Sequence, residues 1–299
     1  MTSPLIATDL QTAPELKAES PPVVRSLLNV KSFGQTDKGR VRPNNEDHFL
    51  IAELAKALQI RHSSLDQGGV QYSGPQGHLF LVADGVGGSA AGERASALAV
   101  NTVENYVLDT LNWCDTLTDD AHDRVLNKFR EALCLADEKL CREATKQPEL
   151  HGMGTTMTMA YRFDHELFVA HVGDSRGYLL RNGLLYRLTR DHTMVEEMVR
   201  LGLLKPEEAA GHGFRHVITN AIGGNSPGVN VEVHKVALEA GDRLLLCSDG
   251  LTEMVLDEEI VDVLAAEMEP KKACERLVNR ANENGGNDNV TVVVAHFEA

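Results

Sequence analysis

The chain has 299 residues, 42% of them hydrophobic and 24% charged, which bounds it as an ordinary globular protein with enough length to bury a sizeable core. A formal net charge of −15 excludes the nucleic-acid duplex as a main partner, because phosphate contacts need a basic face. Five cysteines without C-x-x-C spacing fit reduced thiols in a cytosol, and no apolar run is long enough for a membrane span or a secretory leader.

Residues 1–28 carry four prolines among polar residues with no sustained period, and are expected to form a flexible tail ahead of one domain over 29–299. Val30–Asp37 and Asp47–Ala52 read as strands, separated by the polar stretch Lys38–Asp47. Residues 54–78 form a long glycine-bearing connection with a short helix expected at Glu53–Leu58. Leu79–Ala83 is an unbroken apolar run that fits a strand buried on both faces, and it ends in Asp84-Gly85-Val86-Gly87-Gly88. Ala90–Leu111 and Asp120–Thr145 carry apolar stripes at helical spacing, Ala91, Ala95, Leu98 and Ala99 in the first, Val125, Phe129, Leu133, Ala136 and Leu140 in the second. Trp113 is expected to anchor a helix end.

From Gly154 the period shortens. Thr155–Arg162 and Glu166–Val172 read as strands joined at Asp164-His165, and Asn182-Gly183 between apolar runs is a strong hairpin signal. Thr193-Met194-Val195-Glu196 has capping-box spacing, the helix it opens should stop at Gly202, and the glycine-bearing residues 203–216 read as a flap. Val229–Leu238 alternates as a strand, Leu256–Glu267 and Lys271–Asn284 read as helices, and Asn289–Phe297 as a last strand. Hairpins of strands with paired helices imply an α+β fold of antiparallel sheets covered by helices, not alternating βαβ units.

Three apolar runs end in aspartate: Leu79–Asp84, Leu167–Asp174 and Leu244–Asp249. One aspartate after a strand is a routine turn former. Asp84, Asp174, Asp249 and Asp288 together, with Glu46-Asp47, are carboxylates whose mutual repulsion a divalent cation would relieve, and an all-oxygen donor set selects Mg²⁺, Mn²⁺ or Ca²⁺ over zinc. Two such ions acidify a shared water for in-line attack on a phosphate ester, and Arg42 is suited to grip the phosphate. Two other patterns compete. Gly173-Asp174-Ser175-Arg176-Gly177 matches the nucleophile elbow of serine hydrolases, with Asp249 and His296 in triad order, and Gly85–Ala90 matches a dinucleotide fingerprint. The histidines show no ligand spacing.

Six blocks in order carry a resemblance: Val41-Arg42-Pro43-Asn44-Asn45-Glu46-Asp47, Val82-Ala83-Asp84-Gly85-Val86-Gly87-Gly88, Gly154-Thr155-Thr156, His171-Val172-Gly173-Asp174-Ser175-Arg176, Ser248-Asp249-Gly250-Leu251-Thr252 and Asn287-Asp288-Asn289. The chain resembles the metal-dependent protein serine/threonine phosphatases, the PPM or type 2C family, from about residue 30 to 297. The resemblance implies a central sandwich of two antiparallel β-sheets flanked by pairs of helices, and a bacterial-type cytoplasmic enzyme that opposes a serine/threonine kinase on phosphoprotein substrates. It implies two Mn²⁺ or Mg²⁺ ions and attack by a metal-bridging water with no phosphoenzyme. Carried over, Asp84 bridges both ions, Asp249 and Asp288 complete the first site, and Glu46 with the Gly85 carbonyl serves the second. Asp174 joins Asp249 at a third, weaker ion, Arg42 binds the phosphate, and Asp47 and Asn289 support the ligands from behind. Val86 stands where many members carry a proton-donating histidine, so the general acid is left open. The alternatives are a catalytically silent member that binds phosphoproteins and a hydrolase using Ser175.

Overall fold

The computed structural model describes residues 28–62, 69–72, 77–87, 89–110, 119–209, 211–224 and 228–299. Residues 1–27 of the expected tail, and Trp113, lie outside the described residues. Leu28, placed in that tail by composition, is buried, and its carbonyl accepts from Arg162 Nη2 at 3.0 Å, so it belongs to the core.

Two five-stranded antiparallel sheets form the centre. The first holds β1 (Asn29–Asp37), β15 (Val290–Glu298), β14 (Arg243–Cys247), β10 (Arg176–Arg181) and β11 (Leu184–Arg187), in that order. The second holds β13 (Glu232–Ala237), β9 (Glu166–Val172), β8 (Met157–Phe163), β5 (Gly77–Ala83) and β2 (His48–Leu54). Between them pack Phe80, Val82, Ala160 and Val169 of the second sheet and Leu179, Leu244, Leu246, Val293 and Phe297 of the first. The alternate residues face outward onto helices. Leu79, Leu81 and Ala83 meet α1 (Ser89–Thr110) and α2 (Asp119–Lys146) through Ala95, Ala99, Phe129 and Leu133. Leu245, Cys247, Val292 and Val294 meet α6 (Asp257–Ala266) and α7 (Pro270–Glu283) through Ile260, Leu264, Cys274 and Leu277. Each central strand is thus apolar on both faces, which is why these runs are unbroken. The layers are helix, sheet, sheet, helix.

The Asn182-Gly183 turn joins β10 to β11 with both residues at positive φ, 53° and 79°, as a type I′ hairpin requires. Thr193 caps α3 (Met194–Arg200), its hydroxyl accepting from Glu196 N, and Gly202 at φ +70° ends the run. A four-residue helix, α4 (Pro206–Ala209), lies within the flap.

Three local expectations change, and one element is new. In place of a helix at Glu53–Leu58, β2 continues to Leu54, and β3 (Ala57–Ile60) pairs antiparallel with β4 (Gly69–Tyr72), Ala57 opposite Tyr72 and Ile60 opposite Gly69. The expected strand Thr155–Arg162 is broken at Thr156, whose N–H turns to Asp84 O at 2.9 Å; this leaves β7 (Gly154–Thr155) to join β6 (Gly85–Val86) and β12 (Ile222–Gly223) in a small third sheet. The strand expected from Val229 begins at Glu232, since Asn230 is bracketed by the Asn220 side chain through bonds of 2.7 and 3.1 Å. One short helix, α5 (Asp249–Thr252), carries no sequence period of its own. Among the described residues no helix is long and apolar enough to cross a membrane.

Candidate metal centre

The loop between β1 and β2 turns at Gly39, at φ +79°, where a side chain would run into the Asp288 carbonyl. Asn289 then fastens the loop. Its Nδ2 donates to the carbonyls of Lys38 and Asn44 at 2.9 and 2.8 Å, and its Oδ1 accepts from Glu46 N at 2.8 Å. Ser96 on α1 donates to Glu46 O at 2.6 Å. Arg42 and Glu46 are therefore delivered by a segment pinned from two sides.

Asp84 stands where β5 leaves the core. Its carbonyl accepts from Thr156 N at 2.9 Å and from Thr155 Oγ1 at 2.8 Å, and its N–H donates to Thr156 Oγ1 at 3.2 Å. Gly85 runs so close to Gly92 of α1 that a Cβ on Gly85 would strike the Gly92 carbonyl, and one on Gly92 would strike the Glu46 carboxylate. Asp174 follows β9 on a turn at Gly173, φ +107°, whose N–H donates to His192 Nδ1 at 3.1 Å. Asp249 opens α5 directly after β14, and Asp288 precedes β15. Behind them Asp47 is buried and accepts from Ser248 Oγ at 2.7 Å, while that hydroxyl accepts from Thr291 N at 3.0 Å.

These strand ends open onto one cavity of about 500 Å³, lined by Arg42, Glu46, Asp84, Gly85, Asp174, Asp249, Asp288 and Asn289. The structure thus brings together every residue expected to touch a cation or phosphate, with Asp47 just beneath. Arg42 Nη2 donates to Asp288 Oδ2 at 2.6 Å across the mouth. Burial, then the neighbouring carboxylates, push Asp84 and Asp249 well above the ordinary carboxylate range. Burial carries Asp47 up to about 6 and Asp174 to about 7, and also raises Glu46. Asp249 Oδ1 and Asp47 Oδ1 are buried without a hydrogen-bond partner. Buried carboxylate oxygens without a partner, crowded among other carboxylates, fit hard divalent cations, and the oxygen donor set fits Mn²⁺ or Mg²⁺.

Sequence reasoning gave no role to His216, Glu253 and Asn287, which line the same cavity. It also missed the anchoring by Thr155 and Ser96, since bonds between residues far apart in the chain leave no local signature. Histidines without ligand spacing nonetheless meet carboxylates in space, in the sets His171, His192, Glu232 and His216, Asp249, Glu253.

The serine-hydrolase reading is corrected. Ser175 is fully buried, with its Oγ 2.6 Å from Thr156 Oγ1, and it precedes a strand where an elbow needs a helix. His296 pairs with Arg243 at the far end of β14 from Asp249, so no triad assembles. The dinucleotide pattern fails too, because Gly85–Val86 is a strand of the small sheet, beside an acidic cleft.

Fold and cleft define a class: an α+β sandwich with an oxygen-lined cation cleft where its strands end. The protein phosphatase 2C profile matches residues 63–291, and the chain belongs to that family. The profile begins after the Arg42–Asp47 loop, which the fold itself brings to the cleft. The chain is 34% identical over 236 residues to the serine/threonine phosphatase Stp of Listeria welshimeri, covering 79% of this chain and 91% of that one. The solved serine/threonine phosphatase PstP/Ppp of Mycobacterium tuberculosis superposes with a TM-score of 0.73 at 35% identity, covering 91% of this chain and all of that one. A structure of the PstP catalytic domain in complex with two manganese ions superposes with a TM-score of 0.70 at 34% identity, covering 92% of this chain and 100% of that one.

Proposed function

We propose that the chain is a Mn²⁺- or Mg²⁺-dependent protein phosphatase that hydrolyses phosphoserine and phosphothreonine. One observation carries the reading: five carboxylates, Glu46, Asp84, Asp174, Asp249 and Asp288, converge with Arg42 on a single cavity. Asp84, Asp249, Asp288, Glu46 and the Gly85 carbonyl would hold two cations, and Asp174 with Asp249 would hold a third, weaker one. Bound there, the cations offset the carboxylate charge, acidify a water and offer positive charge to the phosphoryl oxygens.

The chain's own residues do the rest. Arg42 holds the substrate phosphate with a planar fork of donors, exchanging its bond to Asp288 for one to the phosphoryl group. Thr155 and Thr156 fix the backbone of Asp84, and Asn289 fixes that of Glu46, so neither chain segment has to be ordered during turnover. Asp47 and Ser248 hold the strand ends in register behind them. The substrates are phosphoproteins made by a serine/threonine kinase, the setting is cytoplasmic, and residues 28–299 form the phosphatase domain.

Hydrolysis of a phosphothreonine peptide in Mn²⁺, in Mg²⁺ and in chelator tests the reading. Turnover is expected with either cation and none in chelator, and Asp84→Asn and Asp249→Asn should abolish it. Calorimetric Mn²⁺ binding without turnover would favour the silent phosphoprotein binder.

A further inference from the structure

Cleaving a serine or threonine phosphate expels an alkoxide, which is a poor leaving group unless it is protonated as the P–O bond breaks. The cavity offers few donors for that proton. Carboxylates that hold cations must be ionised. Arg42 keeps its protons, since its hydrogen bond to Asp288 raises its pKa further. Val86 has none to give. Among the described residues lining the cavity, His216 is the one imidazole.

Its placement is specific. His216 Nδ1 lies 2.5 Å from Glu253 Oε1, in the residue that follows α5, the helix that opens with Asp249. One ring nitrogen of His216 and one carboxylate oxygen each of Glu253 and Asp249 lie within 4.8 Å of one another, so the imidazole stands at the edge of the carboxylate cluster. The backbone there is held at the base of the flap: Met194 N donates to Val217 O at 2.8 Å, Thr219 N to His192 O at 2.8 Å, and Thr193 and Ile218 form a bridge. A carboxylate on one ring nitrogen fixes the tautomer and leaves the other nitrogen to face a reactant, and histidine is the side chain that exchanges protons near neutral pH.

We propose that His216 is the proton donor to the departing seryl or threonyl oxygen, with Glu253 as the positioning residue that orients it. This rests on the phosphatase reading above. In the step, the bond from phosphorus to the substrate side-chain oxygen breaks as a water oxygen bonds to phosphorus. Nε2 of His216 gives its proton to the departing oxygen, the attacking water releases one to solvent, and solvent returns a proton to the imidazole. The products are the free hydroxyl side chain and inorganic phosphate, with no redox change.

The test compares two substrates in the Mn²⁺-saturated full chain: a phosphothreonine peptide, and 4-nitrophenyl phosphate, whose phenolate leaves without a proton. In His216→Gln, kcat for the peptide should fall about 100-fold, in the usual range for loss of a general acid, and kcat for the aryl ester by only a few-fold. His216→Ala should regain peptide turnover when free imidazole is added. Glu253→Gln should show the same substrate-selective loss to a smaller extent. Equal losses on both substrates in His216→Gln would overturn the proposal, as would a tenfold weaker calorimetric Kd for Mn²⁺ in that variant, which would make His216 a cation ligand. If the wild-type chain itself shows no cation-dependent peptide turnover, the phosphatase reading fails first. Far-UV circular dichroism and Tm of each variant separate these outcomes from misfolding.

Discussion

Asn289→Ala measures how far one amide assembles the cleft. The side chain is 5% exposed and makes three loop-fastening bonds at 2.8–2.9 Å, to Glu46 N, Lys38 O and Asn44 O. At ~1 kcal/mol for each, the gross loss is ~3 kcal/mol. Lys38 and Asn44 are exposed residues whose carbonyls can take water once released, so those two bonds count about half, and the expected destabilisation is ~2 kcal/mol. Urea unfolding in chelator should show a lower midpoint at an unchanged slope. Because the same bonds aim Glu46, Mn²⁺ affinity by calorimetry should fall about 10- to 100-fold, the usual cost of losing a group that orients a ligand. Asn289→Asp keeps the acceptor for Glu46 N and loses both donors, so it separates the contribution of the Glu46 bond from that of the loop carbonyls. A stability change below ~0.5 kcal/mol with unchanged Mn²⁺ affinity would refute the idea that this amide organises the site.

Arg42→Ala should raise KM for a phosphopeptide with a smaller change in kcat, and should free Asp288 from its 2.6 Å partner; a change confined to kcat would place Arg42 in the transition state alone. Ser175→Ala should keep cation-dependent turnover within about threefold and remain chelator-sensitive, since this hydroxyl is sealed against Thr156; chelator-resistant esterase activity lost in the variant would revive the hydrolase. Two opposing pH dependences are expected in the metal-free protein. Asp47 at about 6 and Asp174 at about 7 bind protons in the folded state that the unfolded chain has already released, so they make stability fall as pH rises from about 4 towards 7. His171, held down to about 3 by burial, refuses in the folded state a proton that the unfolded chain accepts below about 6.5, so its contribution is lost as pH falls. Urea titrations between pH 4 and 8 should show saturating Mn²⁺ removing the first slope and His171→Gln removing the second. A carboxylate slope unchanged by Mn²⁺ would mean that no cation offsets the charge of this cluster.

Much of the centre was legible because its carboxylates punctuate strong local patterns. Asp84, Asp174 and Asp249 each end an apolar run, and a run buried on both faces has one place to put a charge, its end. The paired helices followed from stripes such as Val125, Phe129 and Leu133, and the β10–β11 turn from Asn182-Gly183. What could not be read depends on partners distant in sequence. The amide of Asn289 reaches back to Lys38, Asn44 and Glu46, and Thr155 reaches back to Asp84. His216 meets Glu253 only because the fold brings residues far apart in the chain together. The hairpin of β3 and β4 was missed for a local reason: four-residue strands are too short for their alternation to outweigh an apparent helical turn.

The pairing of β1 with β15 joins the first strand of the sandwich to the last, residue 29 beside residue 298. That ladder brings the Arg42–Glu46 loop to Asp288, so half of the cleft stays unmade until the chain has closed on itself. Such a closure is among the slower events of folding, because its entropy is spent before its contacts form. A partly folded chain can therefore hold Asp84 and Asp174 in place on β5 and β9 and still be unable to act on phosphoproteins. A cation that needs both ends of the chain would bind only to the finished molecule and hold it closed, making metal supply a determinant of how much enzyme persists as well as how fast it turns over.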